Sequence, residues 1–217
     1  MRELIVNTFV TLDGVMQAPG GPEEDPSGGF EHGGWSFGYW DEQMQQTMGE
    51  TMSKPFDLVL GRKTYEIFAA YWPQADDPAA EVLNSATKHV ASTTLTDVEW
   101  QNSKLIEGDV PEGVHALKEE DGPELQVHGS ANLIQTLLEH GLIDEVRLWT
   151  FPLVLGKGKR LFDGGTVPAG FELTSSQTSS TGVITATYRS GADIKYGSFA
   201  AETPSEAEVA RRATQEG

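Results

Sequence analysis

The chain is expected to fold as a three-layer α/β/α domain around a central, mostly parallel sheet, and three observations predict this. First, short apolar runs alternate with helical stretches, the order that builds β-α-β units. Second, the stretch 124–162 contains one such unit in full. Leu125 and Val127 alternate along Glu124–His128, then Leu133, Ile134, Leu137 and Leu138 fall on one helical face. Gly141 follows where a left-handed cap is wanted, and 143–152 reads as a largely buried strand. A crossover of this kind implies parallel pairing of its two strands. Third, polar turns follow three of the expected strands, at Gly61–Thr64, Ser92–Thr94 and Gly129–Asn132.

The elements follow in order. Leu4–Leu12 is rich in β-branched residues and reads as the first strand, ending at Asp13-Gly14. From Val15 to Tyr39 the chain is glycine- and proline-rich and carries Phe30, His32, Trp35, Phe37 and Tyr39, with Trp40 next. A loop this long is more often functional than spacer, so its aromatics are read either as a pocket wall or lid, or as plugs that pin it down. Asp41–Lys54 reads as a helix with Met44, Met48 and Met52 on its core side, and Phe56–Leu60 as a short buried strand. A helix is expected from Gly61 to about Tyr71 and another near Ala79–Ser85. Lys88–Ser92 and Trp100–Ile106 read as strands, and Val114–Glu120 as a short helix. Phe171–Thr178 and Gly182–Arg189 form an expected hairpin, with an added edge at 193–196. The domain is placed at 1–197, and 198–217 is read as a frayed polar tail despite a capping box at Ser205 and Glu208.

Composition narrows the function. A length of 217 residues supports one good-sized core. The formal charge of −18 disfavours nucleic acid and anionic membranes as partners, because the general field repels both. It also leaves the two basic clusters, Arg62-Lys63 and Lys157–Arg160, as local exceptions. There is no cysteine, and the five histidines have no metal-ligand spacing, so no metal is expected. The N-terminus enters a strand without a signal-peptide core, and no apolar run approaches a membrane span; a cytoplasmic protein is expected.

Neither a G-x-G-x-x-G fingerprint nor a Walker A loop is present. What remains is the three strand-end junctions. In an open parallel sheet they would meet at the carboxyl edge, where such folds bind ligands. One turn with two cations, one with hydroxyls and one bare helix start could hold an extended, multiply charged dinucleotide. Taken singly, each turn is also compatible with an ordinary helix start or loop.

Several stretches carry a resemblance: Phe9–Met16, Gly34-Trp35 with Asp41-Glu42, Leu60–Tyr65, Val90–Thr94, His128–Leu133, and Leu142–Glu145 through Pro152 to Gly156–Phe162. In register they resemble the dihydrofolate reductase superfamily, and within it the reductase type of riboflavin biosynthesis (the RibD C-terminal type), over roughly 2–189. The resemblance implies a dihydrofolate reductase-like fold that binds NADPH in extended form and acts on a small molecule as a homodimer. By position, it assigns Gly61, Arg62, Lys63 and Thr64 to the pyrophosphate and the 2′-phosphate side, and Ser92 and Thr93 to the 2′-phosphate. Gly129, Ser130, Ala131 and Asn132 would cap the pyrophosphate and nicotinamide end. Val10 and Leu12 would flank the nicotinamide, Asp13 and Trp35 would belong to the substrate pocket, and Asp41 would be the proton donor or substrate anchor. Asp41 and Glu42 are also residues that a helix N-terminus favours electrostatically, and His32 is a second acid–base candidate. Two positions depart from the pattern: Ser130 stands where a second glycine is common, and Thr93 where an arginine is common.

The chemistry implied is hydride transfer from NADPH to a small heterocyclic C=N or carbonyl substrate. The competing reading is an NADP(H)-binding protein without turnover, used for sensing or scaffolding. A third is a 5-amino-6-ribosylamino-pyrimidine reductase of riboflavin synthesis, against which stands the missing zinc deaminase half.

Overall fold

The run Leu4–Thr11 carries apolar side chains on both faces, and it becomes β1, a strand at the centre of the sheet. In the computed structural model, which describes residues 1–164, 166–199 and 203–214, the further strands are β2 (Phe56–Gly61), β3 (Lys88–Ala91), β4 (Ser103–Leu105), β5 (Glu124–His128), β6 (Glu145–Phe151), β7 (Phe171–Thr178) and β8 (Ile184–Ser190). The helices are α1 (Glu42–Met52), α2 (Arg62–Tyr71), α3 (Pro78–Ser85), α4 (Val110–Glu119), α5 (Ala131–Glu139) and α6 (Glu206–Ala213). The strands form one sheet in the order β4-β3-β2-β5-β1-β6-β8-β7. From β4 to β6 all pairs are parallel; β8 and β7 add an antiparallel edge.

Alternation along the strands separates two cores. Leu4, Val6, Val59, Leu125 and Val127 point to one face, where Val114 and Leu117 of α4 and Leu133, Ile134, Leu137 and Leu138 of α5 cover them. On the other face, Leu58 and Leu60 pack under Tyr65 of α2 and Leu83 of α3, while Trp149 and Phe151 pack under Met44 of α1. Burying each such Leu or Val stabilises the fold by roughly 1.5–3 kcal/mol. Lys88 is fully buried, and its ammonium donates to the carbonyls of Leu83, Asn84 and Ala86 at 3.0, 2.9 and 2.9 Å. It closes the C-terminal end of α3, where free carbonyls attract a cation.

Four expectations change. β5 and β6 are parallel but do not pair, because β1 lies between them and bonds to both; a strand buried on both faces takes the inner slot. The strand expected over Trp100–Ile106 is limited to Ser103–Leu105, since Trp100 turns in to donate to Asn84 Oδ1 at 2.7 Å. No strand forms at 193–196. In the expected tail, whose residues 200–202 and 215–217 lie outside the described residues, α6 is a helix. Ser205 caps it by accepting from Glu208 N–H, and the Glu208 carboxylate pairs with Arg211 and Arg212 instead of closing a reciprocal box.

The direction of the connections creates the site. The chain leaves β2 toward β3 and leaves β5 toward β6, in opposite directions along the sheet. α2 and α5 therefore lie on opposite faces, and their N-termini flank a crevice at the carboxyl ends of two neighbouring strands.

Candidate functional site at the carboxyl edge of the sheet

A cleft of about 600 Å³ opens at this edge. Gly61, Arg62, Lys63 and Thr64 line one side of it, Gly129, Ser130, Ala131 and Asn132 the other, and Ser92, Thr93 and Thr94 extend one end. The three polar turns thus share one rim. Gly61 ends β2 and Gly129 directly follows β5, so adjacent parallel strands set the spacing of the two helix starts.

The junctions are also bonded to each other. Ser130 Oγ accepts from Gly61 N–H at 3.0 Å and donates to Thr64 Oγ1 at 2.6 Å. Ser130 reaches this position with φ +70° and ψ +71°, a left-handed conformation that costs a serine about 1–2 kcal/mol. The approach is close enough that a Cβ on Gly61 would stand 2.9 Å from Ser130 Oγ. α2 and α5 have no side-chain cap, whereas Asp41, Asp77, Asp109 and Ser205 cap α1, α3, α4 and α6. Both bare helix starts present their first N–H groups, and the positive end of the helix dipole, to the same cleft. Arg62 adds a guanidinium that is half exposed and pairs with Glu66 at 2.9 Å, a surface contact weak enough for a phosphate to displace.

The other end of the cleft is lined by Asn7, Thr8, Phe9, Met48, His128 and Trp149, with Gln17, Glu24, Asp25 and Lys159 on the wall formed by the long loop and the 153–160 turn. Glu24 Oε2 accepts from Gly20 N–H at 2.6 Å and Gly21 N–H at 3.1 Å. Loss of water around it outweighs these donors and pushes its carboxyl above the usual range. Burial also works to raise its neighbour Asp25, but Lys159 and the Ser27 hydroxyl overcome it and hold that carboxyl below its usual value.

Other residues read from the sequence lie elsewhere. Asp41 caps α1, accepting from Met44 N–H at 2.9 Å, and its second oxygen accepts from Ser180 N–H and Oγ at 2.8 and 2.7 Å. The Ser180 hydroxyl, followed by the Met44 amide, lowers its pKa; the residue does not line the cleft. Trp35 is buried against Phe151, its indole N–H donating to the Gln17 carbonyl at 2.8 Å. Phe30 is buried too, so both aromatics act as plugs for the loop. Asp13 accepts from Thr11 Oγ1 at 2.6 Å and from the amides of Leu155 and Gly156, and the Thr11 hydroxyl leads the drop in its pKa to about 2. Val10 is in the core and Leu12 is exposed; neither Val10, Leu12, Asp13 nor Trp35 lines the cleft. Sequence reasoning passed over Asn7, Glu24 and His128. An asparagine within the apolar run Leu4–Val10, and a histidine closing a strand expected to be buried, were the available signals.

Comparison with known proteins agrees with this architecture. The sequence model of the RibD C-terminal domain matches residues 2–185. The uncharacterized protein YyaP of Bacillus subtilis is 29% identical over 196 residues, covering 86% of this chain and 94% of its own. A solved structure from Shewanella sp. PV-4, named "Putative riboflavin biosynthesis protein", superposes with a TM-score of 0.63 at 22% identity, covering 88% of this chain and 99% of that one. Dihydrofolate reductase of Enterococcus faecalis, solved in complex with NADP(H), superposes with a TM-score of 0.55 at 15% identity, covering 88% and 97%. At these identities the structural likeness establishes the fold. Among the described residues, no helix is long and apolar enough to cross a membrane.

Proposed function

From the premise that the chain belongs to the RibD C-terminal domain family, we propose that it is an NADPH-dependent reductase of a small heterocyclic C=N or carbonyl substrate. The observation that carries the reading is the pair of uncapped helix N-termini, α2 and α5, opening on one cleft while every other described α-helix has a side-chain cap. Such termini are suited to a pyrophosphate, because each offers several N–H donors and a dipole of the right sign. Arg62 and Lys63 supply the positive charge that an anionic ligand needs in a chain of net charge −18. Ser92 and Thr93, at the far end of the same rim, would meet the 2′-phosphate.

When bound, the cofactor supplies the hydride. The chain's own task is to hold the acceptor carbon near it, exclude water and deliver one proton. Phe9, Met48 and Trp149 make the apolar part of the cleft, and Glu24 is the carboxyl placed to keep a proton there, since its pKa is raised where Asp41 has its own lowered. Incubation with NADPH and a panel of carbonyl and cyclic imine compounds tests the reading. Substrate-dependent loss of nicotinamide absorbance is expected; NADPH binding with no oxidation by any member would favour a non-catalytic NADP(H)-binding protein. That second reading has one observation behind it: the acid aligned with the family's proton donor, Asp41, serves as a helix cap outside the cleft.

A further inference from the structure

Asn7 and His128, which line the cleft, are the open end of a chain of polar side chains whose far end, Glu124, is paired with Arg147. Glu124, Gln126 and His128 share one face of β5, and Asn7 stands opposite His128 in the register of β1. Their hydrogen bonds can be oriented from one end. The Glu124 carboxylate only accepts, so Gln126 turns its amide nitrogen toward it, at 2.6 Å. Gln126 Oε1 then faces the other way, and its two neighbours must donate: Asn7 Nδ2 at 3.3 Å and His128 Nε2 at 2.7 Å.

This assignment leaves two lone pairs without donors. Asn7 is 8% exposed, and its Oδ1 is buried with no partner among the described residues. His128 carries its proton on Nε2, so Nδ1 is an acceptor, and it makes no hydrogen bond among the described residues. Phe56 stacks on the His128 ring at 6.1 Å and fixes its plane. Burial first, and the Arg147 charge second, push the His128 pKa down to about 4, which keeps the ring neutral and Nδ1 bare near neutral pH. Both residues line the cleft beside Phe9, Met48 and Trp149. A buried acceptor without a donor is costly, as Asn7 Oδ1 is, and the cost is recovered when a ligand supplies one.

We infer that Asn7 and His128 form an acceptor pair that selects the substrate by its hydrogen-bond donors, admitting a neutral ring with an amino or amide N–H and rejecting carboxylates and rings that carry acceptors alone. This rests on the reductase reading for the claim that this end of the cleft holds the substrate. The chemistry works by mismatch: a ligand carbonyl or carboxylate placed here would face two lone pairs and leave both unpaired.

The test uses 2-aminopyrimidine and 2-methylpyrimidine, isosteric rings that differ in the donor group, titrated calorimetrically into the full chain with and without NADPH. The amino compound is expected to bind roughly tenfold more tightly. The preference should disappear in Asn7→Leu and in His128→Phe, each of which removes one acceptor and leaves Gln126 Oε1 its other partner, while NADPH affinity stays unchanged. Equal affinity for the two rings in the native protein, including no detectable binding of either at millimolar concentration, would overturn the inference; so would a preference that survives in both variants, the result expected if ordered water serves the two acceptors. Failure of NADPH itself to bind would count against the reductase reading, and a donor preference persisting without NADPH would leave the acceptor pair standing.

Discussion

The Ser130 hydroxyl donates to Thr64 Oγ1 at 2.6 Å and so ties the first turn of one helix to the residue that precedes another, across two neighbouring strands. The same oxygen accepts from Gly61 N–H. One side chain therefore holds the two bare helix starts at a set separation, at the expense of a left-handed backbone.

Removing that oxygen should loosen the rim. Ser130→Ala keeps the backbone cost and leaves Gly61 N–H without its acceptor, for a loss of about 1–3 kcal/mol. Ser130→Gly loses the same bonds but recovers about 1 kcal/mol of backbone strain. Urea unfolding should rank the native protein first, the glycine variant second and the alanine variant last. NADPH affinity should fall in both, because the two N-termini are no longer in register.

Arg62 bears on the choice of cofactor. Thr93 carries no charge, so in the proposed reductase Arg62, on the same cleft, would be the guanidinium that meets the 2′-phosphate. Arg62→Ala should weaken NADPH about tenfold and leave NADH nearly unchanged, measured as parallel titrations. Equal weakening of both would assign Arg62 to the shared pyrophosphate instead.

In the proposed reductase Glu24 would combine a stability effect with a catalytic one. Its carboxyl titrates above the usual value in the folded protein. As pH rises between the unfolded and folded values, the unfolded chain has released its proton while the folded chain still holds it, so stability falls across that window and stays lower above it. Glu24→Gln removes this decline and should raise the unfolding midpoint at pH 7. Turnover should fall about 100-fold or more, the usual contribution of a general acid. A variant that reduces substrate at the native rate would remove Glu24 from the chemistry.

Asp41 should behave in the opposite way. Its folded pKa is lowered, first by Ser180 and then by the Met44 amide, so its contribution is present above the unfolded value and is lost as pH falls through the folded one. Asp41→Ala should lower the thermal midpoint at pH 7 and leave kcat intact, and the midpoint difference from the native protein should shrink in strong acid.

Much of this was legible in the chain before any coordinates. The turns at Gly61, Ser92 and Gly129 could be read because each breaks an apolar run with small or polar residues, and parallel strands all end at one edge. Three things could not be read. The insertion of β1 between β5 and β6 depends on which of several buried strands is most apolar on both faces, a comparison that local periodicity does not make. Asp41 fits both a helix cap and an acid, and only its contact with Ser180, 139 residues away in the chain, separates the two. Glu24 lies in a loop without periodicity, where burial is decided by the packing of Phe30 and Trp35 and leaves no mark in the local sequence.

Every role proposed for this cleft depends on whether the two uncapped helix starts receive a pyrophosphate. The most direct measurement is a calorimetric titration of NADPH into the native chain and into Ser130→Ala at low and high salt. One NADPH per chain is expected, with micromolar affinity that weakens with salt and again in the variant. Absence of binding at millimolar NADPH, or binding indifferent to both salt and the loss of the Ser130 hydroxyl, would contradict it.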